Sequence, residues 1–256
     1  MIRWGKSRRS FSARRVGKFG ATAFNPLTLS PTAWYDPSDL STLFQDSAGT
    51  TPVTASGQPV GKMLDKSGNG NHVLQATSTM RPIYTTGGAL AWLAFDGIDD
   101  FMRSAVLGAA LSAPNTVALA AKVDTLATTK AANNYFVSGG AVNNNAISQN
   151  SANDTVFLYT GTTTPAVTAA LTIAAPYVLN ALFNSTSSLM RLSGAASATV
   201  DPGSASMDTI TLASNPGGAQ ALTGRIYGVF IKNAALTAPQ NASIETYLGA
   251  KAGLVL

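Results

Sequence analysis

Apolar and polar positions along this chain alternate with a period of two far more often than they cycle with a helical period. Residues 116–124 place Val117, Leu119, Ala121 and Val123 on one face, and residues 207–212 set Ile210 and Leu212 against Thr209 and Thr211. Both patterns predict strands with one buried side. Residues 89–95 are apolar on both faces, with Leu90 and Trp92 against Leu93 and Phe95, as a central strand requires, and residues 225–232 read the same way. A first strand is predicted near Trp34 and Tyr35, after a proline-bearing linker over 25–39. Gly, Asn, Ser and Pro punctuate these segments every 8–12 residues or so, the spacing of an antiparallel sandwich or barrel.

Two segments depart from that rhythm. Residues 166–183 are largely apolar, but Pro176 and Asn180 interrupt them. A membrane helix needs about 20 uninterrupted apolar residues, so two strands and no membrane insertion are predicted. The last 20 residues carry the one helical pattern. Thr237 and Gln240 fit a capping box, with Pro239 tolerated in the first turn. Ile244, Tyr247, Leu248 and Lys251 follow at helical spacing, and Gly253 supplies a stop. A single helix after a sandwich is expected to lie on one sheet as a lid.

Composition narrows the chemistry. There is no cysteine, which removes disulfides, thiolate metal sites and thiol catalysis. Charged residues make up 11% of the 256, against about 25% in an ordinary soluble domain, so Ser, Thr, Asn and Gly must cover much of the surface. What charge there is lies unevenly. Arg3, Lys6, Arg8, Arg9, Arg14, Arg15 and Lys18 are seven of the 17 bases, and no acid precedes Asp36. The other ten bases face all 12 acids, so the net charge of +5 belongs to the first residues and the body is nearly neutral. A division follows: a basic arm and linker over 1–32, and a β body over 33–256. The Arg8-Arg9 pair resembles a twin-arginine export motif but lacks the apolar segment behind it, and the arm also resembles a mitochondrial presequence. It is read here as retained. With Trp4 and Phe11 among its arginines, the arm is expected to anchor the protein on an acidic protein surface.

Three segments in order carry a family resemblance: Asp65 to His72 with its Asn69-Gly70 turn; Phe95 to Met102 with Asp96, Asp99 and Asp100, a turn expected to reverse a buried strand into an alternating one; and Gly224 to Ile231 ahead of the helix. Together they resemble a laminin-G-like domain of the concanavalin A-like lectin/glucanase superfamily, over roughly residues 33–254. The resemblance implies an all-β jelly-roll sandwich of two antiparallel sheets, with a C-terminal helix and an extended N-terminal arm. It also raises calcium as a cofactor, with Asp65, Asn69, Asp96, Asp99 and Asp100 as candidate ligands. Turn aspartates bond their own backbone more often than metal, and no metal site is assigned. Retaining glycosidases of the superfamily use two carboxylates about 5–5.5 Å apart. Glu245 is the only glutamate and falls on the helix, while Asp99 and Asp100 on one strand would face opposite ways. His72, the only histidine, lies in a turn. No catalytic residue and no enzymatic activity are therefore expected. Among aromatic residues, Trp34 and Trp92 read as core, and Tyr35, Tyr84, Tyr135 and Tyr159 are candidates for a sugar-stacking platform.

A cysteine-free sandwich behind a short basic arm resembles the accessory virion proteins of tailed bacteriophages. The expected function is a non-enzymatic virion protein, as a capsid decoration, head fibre or tail component. Capsid or tail proteins would be its partners, in multiple copies, with glycan contact at the host surface. A secreted or cell-surface carbohydrate-binding module is the alternative. A nucleic-acid-associated protein using the arm is the third reading, disfavoured by the near-neutral body.

Overall fold

The computed structural model describes residues 1, 24–140, 145–161 and 168–256. The expected arm residues Arg3, Trp4, Lys6, Arg8, Arg9, Phe11, Arg14, Arg15 and Lys18 lie outside the described residues. The strands are β1 (Ala33–Tyr35), β2 (Leu43–Phe44), β3 (Lys62–Met63), β4 (Val73–Leu74), β5 (Ile83–Gly87), β6 (Leu90–Asp96), β7 (Met102–Ser104) and β8 (Asn115–Val123). They continue with β9 (Asn134–Ser138), β10 (Asn145–Gln149), β11 (Val156–Thr160), β12 (Tyr177–Phe183), β13 (Leu189–Leu192), β14 (Ala195–Ala196), β15 (Thr211–Leu212) and β16 (Thr223–Lys232). A one-turn helix α1 (Ala127–Lys130) and the long helix α2 (Ala238–Lys251) complete the set with three short 3₁₀ turns.

Two antiparallel sheets result. The first runs β14-β13-β12-β8-β16-β6-β5, and β1 pairs with β16 beyond the end of β6. The second runs β11-β10-β9-β15-β7-β4-β3-β2. Val117, Leu119, Ala121 and Val123 of β8 point between the sheets, where Leu93, Phe95, Ile147, Leu158, Leu212 and Ile226 meet them. The all-β sandwich expected from the alternation is the fold observed.

The other face of β8 is not polar. Ala118 and Ala120 join Trp92, Val178, Tyr227 and Phe230 in a second apolar layer beneath Ile244 and Leu248 of α2. Small residues on β8 let the helix approach the sheet. The helix starts on the expected capping box, with Thr237 and Gln240 bonded reciprocally. It ends at Gly253, whose φ of +76° suits glycine. Asp36 fastens it to β1 by accepting from the Tyr247 hydroxyl at 3.0 Å and Lys251 Nζ at 2.8 Å. Burial would raise the Asp36 carboxyl, but bonds from Lys251 and Ser38 outweigh it and hold the group below its ordinary value.

Several local expectations change. Residues 95–102 do not reverse one strand into its neighbour. They carry the chain from β6 in the first sheet to β7 in the second. Of residues 207–212 only Thr211 and Leu212 form a strand, while Met207 makes an isolated bridge to Leu111. Within 166–183 there is one strand, β12, and Ala170 bridges Thr155; residues 162–167 lie outside the described residues. Among the described residues, no helix is long and apolar enough to cross a membrane.

Candidate functional site

The two outer faces of the sandwich differ. Helix α2 packs on β8, β12 and β16 of the first sheet, and no described helix of comparable length lies on the second. Strand register shows what the second sheet turns outward. In β11, Val156, Leu158 and Thr160 are buried, and Phe157 and Tyr159 between them are half-buried. Ser148 of β10 pairs with Phe157 on one side and with Tyr135 of β9 on the other. Tyr135, Ser148 and Phe157 therefore form one cross-strand row on the outer face, with Tyr159 two residues further along, opposite Ala146. A bulge sets this register. Ile147 pairs with Val137 and Ser148 with Tyr135, so Phe136 is the extra residue. Phe136 turns inward against the Tyr177 ring at 6.2 Å.

The Tyr135 and Phe157 rings meet edge to face, with centroids 6.5 Å apart at 85°. They lean over Ser148, which is fully buried beneath them and donates to the Asn134 carbonyl oxygen. Burial raises the Tyr135 hydroxyl pKa, the neighbouring Tyr159 adds to the rise, and the Asn133 side chain opposes it. The result is a patch of three aromatic side chains with two phenol hydroxyls at its border. Further along the face, Arg103 is already engaged. It donates to Thr211 Oγ1 and the Pro216 carbonyl oxygen, and its guanidinium lies 5.4 Å from the Phe101 ring centre.

Of the four tyrosines proposed from the sequence, the structure brings Tyr135 and Tyr159 together and removes the other two. Tyr35 is fully buried, with its hydroxyl donating to the Asn71 carbonyl oxygen, and Tyr84 is 4% exposed. Trp34 and Trp92 are buried as expected. Phe157 was not anticipated. The stretch Val156-Phe157-Leu158-Tyr159 is apolar at every position and gives no sign of which residues face out.

The candidate calcium ligands fall into two separate turns. Asp65 accepts the N–H groups of Trp34, Ser67 and Asn71, and its own N–H donates to His72 Nδ1. Asp65 and His72 thus shape a turn. Asp96, Asp99 and Asp100 come together instead, with one carboxylate oxygen from each within 4.8 Å of the others. The expectation that Asp99 and Asp100 face opposite ways is corrected, because both lie in the crossover after β6 and not on a strand. Burial pushes Asp100 up to about 6, with Asp96 and Asp99 adding to the rise against a bond from the Asp96 N–H. Calcium takes six to eight oxygens. In this turn one oxygen of Asp96 accepts from Ile98 N–H and one of Asp100 from Asp96 N–H. The donor set falls short of a calcium cage, and no step is assigned to a metal. Glu245, 3% exposed, is held by Arg191 and Asn180 beneath α2.

No protein family matches the sequence, and no curated protein does. Solved structures match the fold. An arabinofuranosidase of family GH54, soaked with a cyclic sulfate inhibitor, aligns with a TM-score of 0.62 at 12% identity over 89% of this chain and 64% of its own. An arabinofuranosidase complexed with arabinofuranosyl-α-1,2-xylobiose gives 0.60 at 12% identity over 90% and 65%. Trypanosoma rangeli sialidase, as the covalent intermediate with 2,3-difluorosialic acid, gives 0.56 at 11% identity over 94% and 35%. The chain thus spans about a third of the sialidase and just under two thirds of the arabinofuranosidases.

At these identities the likeness establishes the fold. It also overturns the expectation of a non-enzymatic virion protein, because the matching structures are glycosidases and the strand geometry used to exclude paired carboxylates is not the geometry observed. The shared architecture is a two-sheet β-sandwich of the kind found in proteins that act on carbohydrate.

Proposed function

We propose that this chain is a concanavalin A-like, laminin-G-like sandwich that engages carbohydrate on the outer face of its second sheet. The observation that carries this reading is the row formed by Tyr135, Ser148 and Phe157, flanked by Tyr159. Sugar rings present flat C–H faces ringed by hydroxyls, and aromatic surfaces with polar borders match both features. Two independent facts support the assignment: the opposite sheet is occupied by α2, and the fold is shared with structures holding arabinofuranosyl and sialic-acid ligands.

Titration calorimetry with a panel of neutral oligosaccharides tests the proposal, using the full chain and the double variant Tyr135→Ala/Tyr159→Ala. Binding by the wild type and a loss of tenfold or more in the variant are expected. The reading fails if the wild type binds no saccharide, or if the variant binds equally well. Release of nitrophenol from aryl glycosides, followed in parallel, reads whether engagement leads to turnover.

A further inference from the structure

The Asp65–His72 turn shapes more than its own backbone. At one rim of the sandwich it meets the loop after β7 and the residue following β16, and together they line an open cavity of about 330 Å³. One wall carries amides. The side-chain nitrogens of Asn69 and Asn71 both donate to the Thr32 carbonyl oxygen, at 3.1 and 2.8 Å, and Asn69 also donates to the Pro31 carbonyl oxygen. Thr32 Oγ1 accepts the N–H of Asn233, which joins the same wall. An amide with its NH₂ committed in this way offers its carbonyl oxygen as an acceptor at a fixed position. The opposite wall is apolar and small: Leu107 and Leu111, both buried, with Gly108 and Ala109 between them. Main-chain bonds from Leu107 to Asp208 and from Leu111 to Met207 hold that loop in place.

We infer that this rim cavity is a second saccharide site, selective for a single uncharged sugar ring; the inference rests on the carbohydrate reading above. Acceptors on one side and a C–H-compatible wall on the other suit a polyol ring. The volume lies at the lower end of the roughly 300–1,000 Å³ of small-molecule sites, enough for one ring and not for a chain. Among the described residues, no charged side chain lines the cavity. A carboxylate, sulfate or phosphate on the sugar would be desolvated there without a cation to pair with it, which disfavours acidic sugars.

Gly108 makes the cavity testable. A Cβ at that position meets nothing within 4 Å, and its backbone is not left-handed, so a large side chain is accommodated at the cavity lining without strain. Binding of methyl arabinoside, methyl xyloside, methyl galactoside and 3′-sialyllactose is measured by saturation-transfer NMR and calorimetry. The proteins are wild type, Gly108→Phe, Asn233→Ala and Tyr135→Ala/Tyr159→Ala. Expected are neutral glycosides bound by the wild type and by the double-tyrosine variant, and weakened tenfold or more by Gly108→Phe and several-fold by Asn233→Ala. Thermal melts of the two rim variants matching wild type assign the loss to the cavity. Preference for sialyllactose over the neutral glycosides overturns the inference, as does unchanged neutral binding in both rim variants. If oligosaccharide binding is then still lost in the double-tyrosine variant, the face stands and only the rim falls. No saccharide bound by any protein overturns both.

Discussion

Replacing Asp100 by Asn is expected to stabilise the protein at neutral pH and to do nothing at pH 4. Asp100 is 5% exposed in the crossover after β6, with the carboxylates of Asp96 and Asp99 close by. Burial and those neighbours push its carboxyl up to about 6 from an ordinary 3.8. Between those two values the folded chain holds a proton that the unfolded chain has released. Stability therefore falls as pH rises from about 4 to 6 and stays low above that. The full shift of about two pH units corresponds to about 3 kcal/mol. Asp96 is exposed at the rim and water reaches the cluster, so about 1–2 kcal/mol is the expected cost at pH 7.5. Asn keeps an acceptor for the Asp96 N–H and cannot ionise. Urea unfolding of both proteins with EDTA, at pH 4 and 7.5, measures the effect. D100N should gain about 1–2 kcal/mol at the higher pH, or about 3–6 °C in Tm, and match wild type at the lower. A pH-independent difference, or a less stable D100N at pH 7.5, would refute the reasoning.

Four further outcomes follow from the packing and the charge distribution. Leu248→Ala empties a fully buried position between α2 and the first sheet, and should cost about 2–4 kcal/mol in urea unfolding. Glu245→Ala strands Arg191 and Asn180 beneath the helix and should cost about 2 kcal/mol, discounted because Arg191 is 28% exposed; an effect under 0.5 kcal/mol, well below that estimate, would show that water replaces the carboxylate. Gly97→Ala places a Cβ 1.7 Å from Thr223 Oγ1 at a φ of +78°, and should lower Tm more than Gly68→Ala, where a Cβ at similar φ meets nothing. Saccharide affinity should change less than about twofold between low and high salt; a steep fall would move binding to the basic arm.

How much of this was legible in the residues depends on what fixes each feature. Strand β8 and helix α2 are written in their own periodicity, and the capping box at Thr237 and Gln240 is local chemistry. Strands β2, β3, β4 and β15, two residues each, are not, because partners outside the strand itself decide their pairing. Lys62 and Met63, for example, find partners at Leu74 and Val73 across a nine-residue connection. The aromatic face is intermediate. Tyrosine marks a position able to sit half-buried, so Tyr135 and Tyr159 were visible, but so were Tyr35 and Tyr84, which are core. Only register separates them, and here register turns on a bulge at Phe136 that no local pattern announces. The same gap explains Asp99 and Asp100. Alternation was assumed along a strand, whereas the chain leaves β6 at Asp96 to change sheets, and a turn converges side chains that a strand would hold apart.

The low charge of the body now reads as a property of its surface chemistry and not only of its composition. A partner rich in charge would be recognised by fixed opposite charges, yet among the described residues Arg103 and Lys66, the cations near the proposed binding places, are already committed. Arg103 is bonded to Thr211 and Pro216, and Lys66 reaches Asp39 at 2.6 Å while lying over the Trp34 ring. What the second sheet and the rim present instead are phenols, amides and hydroxyls able to exchange hydrogen bonds with a neutral hydroxylated ligand, beside small apolar walls that can meet its C–H faces, at little desolvation cost. Helix α2 adds a geometric reason for the same preference. Among the described elements it covers the first sheet and leaves the outer face of the second for contact, where the small residues Ala146 and Ser148 sit between the half-buried rings of Tyr135, Phe157 and Tyr159.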